Sequence, residues 1–420
     1  MSTVQQPTDV DVPAAGDTAG IGQAFRDYLA RVRGGDIGSL PAVLGLIALV
    51  ILFSALEGST FLSIFNFANL INQSAAIIVL AMGLIFVLLL GEIDLSAGYA
   101  AGTAAAVLAV TLTNWGWSWP LALAAALLTG VVIGFVIGLL VARLGIPSFV
   151  VTLAMFLALQ GLMLLIIGEG GTIPIRDDAI LVIMNGNMPV WLGWVLALVI
   201  VAGFALSTFL AIQRRRKAGL PAEAMSVWAA KVVALAVLIG VATYLLNQER
   251  QLPNAKITIQ GVPWVVPVIL VLLVGLTFIL QRTGFGRHVY AVGGNREAAR
   301  RAGINVKGLM ITCFIFCSTL AAVAGVLLAS RDNSVSPTTG GAQTLLFAVG
   351  AAVIGGTSLF GGRGKIRDAV IGGLVIAVIA NGLPLITQQS GIQFVVTGLV
   401  LLVAASVDAI SRRRASATGA

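Results

Sequence analysis

The sequence predicts an all-α integral membrane protein: a polytopic helical bundle of about twelve transmembrane segments with both termini cytoplasmic. Three observations carry this. Hydrophobic residues make up 58% of the 420-residue chain and charged residues only 10%, with a mean hydropathy of +1.02. A soluble domain carries roughly 25% charged residues to face water, so most of this surface must face lipid. From Leu40 onward, apolar runs of about 18–25 residues recur, the length a helix needs to cross about 30 Å of hydrocarbon. Lastly, the basic residues segregate into alternate loops.

Residues 1–39 are polar and small, with Pro7 and Pro13. They read as a largely disordered cytoplasmic tail with a short helix near 25–32. No apolar core begins before Leu40, so no cleavable signal peptide is expected. The transmembrane domain is read as 40–410, with segments at 40–57, 74–91, 96–113, 119–143, 147–168, 190–212, 229–246, 263–281, 309–330, 344–358, 369–386 and 393–410. Residues 411–420 form a cytoplasmic tail. The segment 344–358 is short and glycine-rich, and is the one expected to be broken or half-length. The stretch 61–73 holds Asn66, Asn69, Asn72 and Gln73 and reads as a re-entrant or interfacial helix.

With a cytoplasmic N-terminus and one crossing per segment, only Arg176, Arg250, Lys256 and Arg331 of the 25 basic residues fall outside. Cytoplasmic loops concentrate Lys and Arg, and one missed span would invert every later loop. Trp115, Trp117 and Trp119 fall on an outer turn, where indoles favour the interface. The net charge of +8 is thereby explained without nucleic acid.

The two cysteines, Cys313 and Cys317, lie one helical turn apart in an apolar run and read as small core-filling side chains, not a disulfide framework. The 49 glycines recur at small-residue spacings, as in Gly130–Gly134–Gly138 and Gly98–Gly102. Small residues let helices approach closely in lipid, although glycine is also simply common in membrane helices.

Charged groups at membrane depth are costly and usually face a cavity or a partner. The string Gly91-Glu92-Ile93-Asp94-Leu95-Ser96 sets two carboxylates and a hydroxyl between two apolar helices. Two readings stand: a polar break lining a transport path, or a cytoplasmic-side turn whose Asp94 or Ser96 caps the next helix. Asn69, Asn72, Gln73, Gln160 and Asn381 complete the candidate path, with Asn66 and Gln388 beside them. Each amide alone could be an interhelical hydrogen bond. As a set they suit an uncharged polar solute, since amides offer neutral donors and acceptors. Segments 74–113 and 344–386 share a plan of apolar helix, glycine-rich break and small-residue helix, as repeats in transporters do.

The longest basic inner loop, within 282–308, reads TGFGRHVYAVGGNREAARRAGINVK. Asn295 is a good N-cap, Glu297 sits at the positive start of a short helix, Arg300 and Arg301 lie toward its end and Gly303 terminates it. Arg296 lies in its first turn. Together with GEIDLS before it and AAVIGGTSLFGGRGKIRDAVIGGLVIAVIANGL after it, this loop resembles the monosaccharide permeases of bacterial ABC importers, the ribose, arabinose and xylose group. The similarity runs over roughly 65–174 and 265–408. The resemblance implies a permease of the bacterial cytoplasmic membrane that pairs with a second copy, a cytoplasmic ATPase with two nucleotide-binding domains, and an extracytoplasmic sugar-binding protein. It also implies that residues 295–304 are the coupling helix docking into the ATPase. The stretch from Arg214 to Pro263 departs from the shorter ribose pattern, adding an Arg-rich inner loop, one span and a polar outer loop. It resembles the xylose and multiple-sugar branch, and lies away from the candidate path.

No catalytic residues, metal site or cofactor are expected in this chain. Gly361-Gly362-Arg363-Gly364-Lys365-Ile366 lacks the spacing and hydroxyl of a phosphate-binding loop, so ATP and Mg²⁺ are expected on the partner ATPase. The sole histidine, His288, reads as a surface residue. The rival reading is an ion-coupled secondary transporter using Glu92 or Asp94; permeases for amino acids or nucleosides also remain open. In the mechanical expectation, a loaded binding protein docks on 169–189, 247–262 and 331–343, and helix 295–304 acts as a lever on spans 263–281 and 309–330.

Overall fold

The computed structural model describes residues 40–251, 258–400, 402 and 406. The two tails, the helix expected near 25–32 and most of 401–410 lie outside these residues. The helices are α1 (Leu40–Phe61), α2 (Ile64–Leu89), α3 (Ala97–Ala109, continued by a wider turn over Val110–Asn114), α4 (Trp119–Leu144), α5 (Ser148–Ile167), α6 (Asp178–Asn185), α7 (Val190–Lys217), α8 (Met225–Leu246), α9 (Val265–Arg282), α10 (Gly284–Gly294), α11 (Arg296–Arg301), α12 (Val306–Asp332), α13 (Gly341–Gly355), α14 (Ile366–Ile386) and α15 (Ser390–Val400). Among the described residues, nine helices are long and apolar enough to cross a membrane. Two-residue strands join the loops: β1 (Ile173–Pro174) pairs with β4 (Ser334–Val335), and β2 (Arg250–Gln251) with β3 (Thr258–Ile259).

The connections sort to two ends. At one, Glu92 meets Arg296 and Leu89 meets Gly362. At the other, β1 pairs with β4, Asn185 bonds Asn333, and Met188 bonds Val262. We call the end carrying α11 the inner end. This alternation matches the order of crossings expected from the sequence.

At the centre, α12 and α2 are surrounded by other helices. From Ala75 to Leu90, α2 is buried on every side. Apolar burial between helices brings little in lipid, so contact depends on close backbone approach, and the glycine stripes supply it. A Cβ added to Gly130, Gly134 or Gly138 of α4 would lie 2.5 Å from Ser318 O, 2.4 Å from Phe314 O and 2.7 Å from Ile311 Cα of α12. On α3, Gly98 and Gly102 lie under Gly341 and Thr339, with added Cβ atoms 2.1 and 2.5 Å from their carbonyl oxygens. Cys313 and Cys317 are free and buried in this core. His288, Trp115, Trp117 and Trp119 are exposed.

Two sequence readings change. The stretch 61–73 is no separate re-entrant helix: from Ile64 onward it is the first half of α2, a 26-residue helix. Ser63 Oγ caps it by accepting from Asn66 N, and Asn66 is bonded inside the bundle, so a spanning helix tolerates its amides. The inserted segment, whose one span is α8, is also less remote than expected. At its outer end, Leu246 and Val262 pack with Ala68 of α2 and Met188. The short segment at 344–358 is α13, 15 residues or about 22 Å at about 1.5 Å per residue. The loop between β4 and α13 descends to meet α3, so this helix begins within the bundle.

Gly134→Leu should destabilise the detergent-solubilised protein by at least about 1–3 kcal/mol, the usual overpacking cost. Gly203→Leu on α7, where an added Cβ meets nothing within 4 Å, should not shift the thermal midpoint.

Candidate functional site: an outer vestibule and an inner junction

A cavity of about 850 Å³ occupies the outer half of the bundle. Asn69, Gln73 and Ile77 line it from α2. These three are spaced four residues apart and so share one helix face. Tyr99 comes from α3, Gln160 and Leu164 from α5, Leu328, Arg331 and Asp332 from α12, Ala380 from α14, and the turn Ser336–Gly340 with α13 forms the remaining wall. The turn reaches this depth because Gly340 adopts φ 75° and backs onto Gly98 and Gly102, where a Cβ would lie 2.5 Å from Gly98 O.

The lining is half polar, half apolar, and electrically balanced. Asn69, Gln73, Gln160 and Gln343 take no part in side-chain hydrogen bonds among the described residues. Arg331 and Asp332 reach the rim but pair with each other at 2.9 Å. Tyr99 packs edge-on against Phe156, with ring centroids 4.6 Å apart, which fixes its ring. The arrangement offers free amide donors and acceptors and no unbalanced charge, which suits a neutral hydroxyl-rich solute.

The remaining candidates lie elsewhere. Asn381 of α14 forms a reciprocal amide pair with Asn66 of α2, at 2.9 and 2.8 Å, and Asn66 also donates to Phe61 O at 3.0 Å. This pair locks two helices and does not line the cavity. Asn72 points off the cavity face, its Oδ1 buried without a partner. Asp94 and Ser96 are buried together: Asp94 Oδ1 accepts from Ser96 N at 2.9 Å and from Ser96 Oγ at 2.6 Å, with Cys317 of α12 beside the carboxyl group. Ser96 precedes α3 but makes no side-chain cap.

Glu92 belongs to a junction at the inner end, where it forms an ion pair with Arg296 of α11. Gly362 N donates to Leu89 O at 2.8 Å. Gly293 packs against the same carbonyl so tightly that an added Cβ would lie 1.8 Å from it. Tyr290 Oη donates to Gly364 O at 2.7 Å. Burial, and then the nearby Asp368 carboxylate, push the Tyr290 phenol above its usual range, so it stays protonated as a donor. Asp368 accepts from Lys365 N at 2.7 Å and Thr357 Oγ1 at 3.2 Å, closing the loop before α14.

Helix α11 stands on this junction. Asn295 Oδ1 accepts from Ala298 N at 2.9 Å, and Gly303 leaves the helix at φ 85°. Glu297 accepts from Arg300 and Arg301. Those bonds hold its carboxyl below the usual range, so both guanidiniums stay tethered on an exposed surface.

The sequence reading missed Tyr99, Gln343 and the Ser336–Gly340 turn as cavity walls. The polar run SVSPTTGGAQT between two apolar helices is the available signal, although most of it falls within the expected docking loop 331–343. Tyr99, in an alanine-rich helix, gave none.

Comparison with known proteins agrees with this architecture. The family described as "Branched-chain amino acid transport system / permease component" matches residues 66–179 and 178–405. The xylose transport system permease protein XylH of Escherichia coli (strain K12) is 34% identical over 372 residues, 89% of this chain and 92% of that protein. XylH of Haemophilus influenzae is 34% identical over 379 residues, 90% and 98% of the two chains. The ribose import permease protein RbsC of E. coli K12 is 39% identical over 148 residues, covering 35% and 46%. No solved structure matches.

Gly293→Val should dislocate the junction and make the 283–308 loop readily cleaved in limited proteolysis. Gly294→Val, where nothing lies within 4 Å of an added Cβ, should leave the cleavage pattern unchanged.

Proposed function

This chain belongs to the branched-chain amino acid transport system permease family, and we propose that it carries a xylose-like monosaccharide through the outer vestibule. As a member it is the multi-pass membrane subunit of an ABC sugar importer, not an enzyme, and works with a cytoplasmic ATPase and an extracytoplasmic binding protein. The observation that carries the sugar reading is the vestibule: about 850 Å³ lined by unbonded amides, with its one acid–base pair self-neutralised. The naming of XylH for xylose transport adds to it.

The translocation path runs from Asn69, Gln73 and Gln160 inward between two copies of the permease. ATP and Mg²⁺ are held by the ATPase, and this chain carries no cofactor. Helix α11, with Arg300 and Arg301 exposed, inserts into the ATPase. Its motion reaches the vestibule along two routes. The Glu92–Arg296 pair pulls on the loop joining α2 and α3. Gly293 and Tyr290 bear on the loop joining α13 and α14. All four helices contribute to the vestibule wall.

The ion-coupled alternative loses support because neither candidate carboxylate lines the cavity: Glu92 is engaged by Arg296 and Asp94 by Ser96.

Proteoliposomes holding permease, ATPase and binding protein should take up labelled xylose only with ATP. Gln73→Ala and Gln160→Ala should each lower uptake efficiency about 2–10-fold, the worth of one neutral hydrogen bond, with complex assembly intact. Uptake driven by an ion gradient without the ATPase, or leucine carried in preference to xylose, would overturn the proposal. Separately, Arg300→Glu with Arg301→Glu should abolish co-purification with the ATPase while leaving membrane insertion intact.

A further inference from the structure

The Arg-rich end of α7 takes no part in the vestibule or the junction, yet it lines a second cavity of about 470 Å³. This cavity lies between the inner ends of α7 and α9. Ser207, Leu210 and Ala211 form its apolar side, and Arg214, Arg215 and Arg282 its basic side. None of the three guanidiniums makes an ion pair or side-chain hydrogen bond among the described residues. The acid in the connecting segment, Glu223, is occupied by Lys231. Basic residues at a helix C-terminus complement its dipole, but that does not require arginines of two separate helices to converge on one cavity.

What runs away from the arginines identifies the occupant. On α7, Leu206, Leu210 and Arg214 lie four residues apart on one face, the leucines 59% and 40% exposed. On α9, Val271, Val274, Phe278 and Arg282 form a second such face, the three apolar side chains 70%, 60% and 60% exposed. Each apolar stripe faces outward along a helix of membrane-spanning length and ends in an arginine at the shared cavity. A free phosphate or an acidic protein surface would use the arginines and leave both stripes unused. A diacyl lipid with an anionic head uses all of it, and basic pockets at the membrane surface bind such heads.

We propose that Arg214, Arg215 and Arg282 form a binding site for an anionic phospholipid, its phosphodiester between the guanidiniums and its acyl chains along the α7 and α9 stripes. Guanidinium suits this role because it matches phosphate oxygens in two-pronged fashion and is weakly hydrated. Because this site belongs partly to the inserted segment, it tunes stability or assembly of the permease rather than which solute passes.

Native mass spectrometry of the full-length protein in detergent tests this, with dioleoyl phosphatidylglycerol, dioleoyl phosphatidylcholine and inorganic phosphate as probes. The wild type should retain phosphatidylglycerol about tenfold over phosphatidylcholine, a discount on the roughly fivefold expected per basic residue. Added inorganic phosphate should not displace it. The triple variant R214Q/R215Q/R282Q should lose the preference, and R214K/R215K/R282K should keep most of it. Equal retention of the two lipids by wild type, retained preference in the glutamine variant, or displacement by phosphate overturns the proposal. So does a shift from dimer to monomer in the glutamine variant with lipid retention unchanged, which would make this face an interface between copies. Should the glutamine variant not accumulate, the wild type decides: its preference must shrink as salt rises, and a salt-independent preference is fatal.

Discussion

In hydrocarbon no water is available to satisfy polar groups, so an amide, hydroxyl or carboxylate at depth is costly unless it meets a partner or faces a cavity. The organisation of this bundle follows from that constraint. Asn66 and Asn381 answer each other, and Ser96 answers Asp94. Most hydroxyls on the helices donate to their own preceding turn, as Thr111, Thr129 and Thr208 do. Four unbonded amides, Asn69, Gln73, Gln160 and Gln343, converge on one vestibule, while Asn72 and Asn247 stay unpartnered elsewhere among the described residues. The collection of those four in one place separates this polar cavity from the packed core.

A second constraint shapes the walls. Because helices in lipid gain little from hiding apolar surface, they must gain from contact. The glycines of α3 and α4 bring α12 and the Gly340–Gly341 turn to backbone distance. The turn can then descend beside Gly98 without opening a lipid-exposed irregular segment, since α3 and α12 cover it. The short α13 is a consequence: a chain that has already descended part of the way needs only a shortened helix to reach the inner end. There, the same closeness at Gly293 makes the junction stiff.

Composition and run length were enough to read the helices from the sequence, since both follow from bilayer thickness. The capped helix at Asn295 was equally readable, because capping is local chemistry. What could not be read was pairing across distance. Glu92 and Arg296 are 204 positions apart, and nothing local distinguishes Glu92 facing a pore from Glu92 facing a basic partner. The amides at 66–73 misled because polarity was counted without knowing direction. Asn66 points at Asn381, and Asn69 and Gln73 at the cavity. With three of the four amides so placed, the stretch belongs to an ordinary spanning helix.

The inserted segment bears on the path from behind. Its outer end is fastened by Arg250, which is buried and donates from Nη2 to Gly261 O at 2.6 Å and to Asn187 Oδ1 at 3.2 Å. Burial lowers the Arg250 pKa, yet an arginine stays charged, so those acceptors hold a desolvated cation and the turn they form is costly to undo. Through Leu246 and Val262 this turn presses on Ala68, the residue just before Asn69 and on the opposite side of the helix from the vestibule. The insertion contributes no lining residue. It packs instead against the outer half of α2, behind the Asn69–Gln73 face.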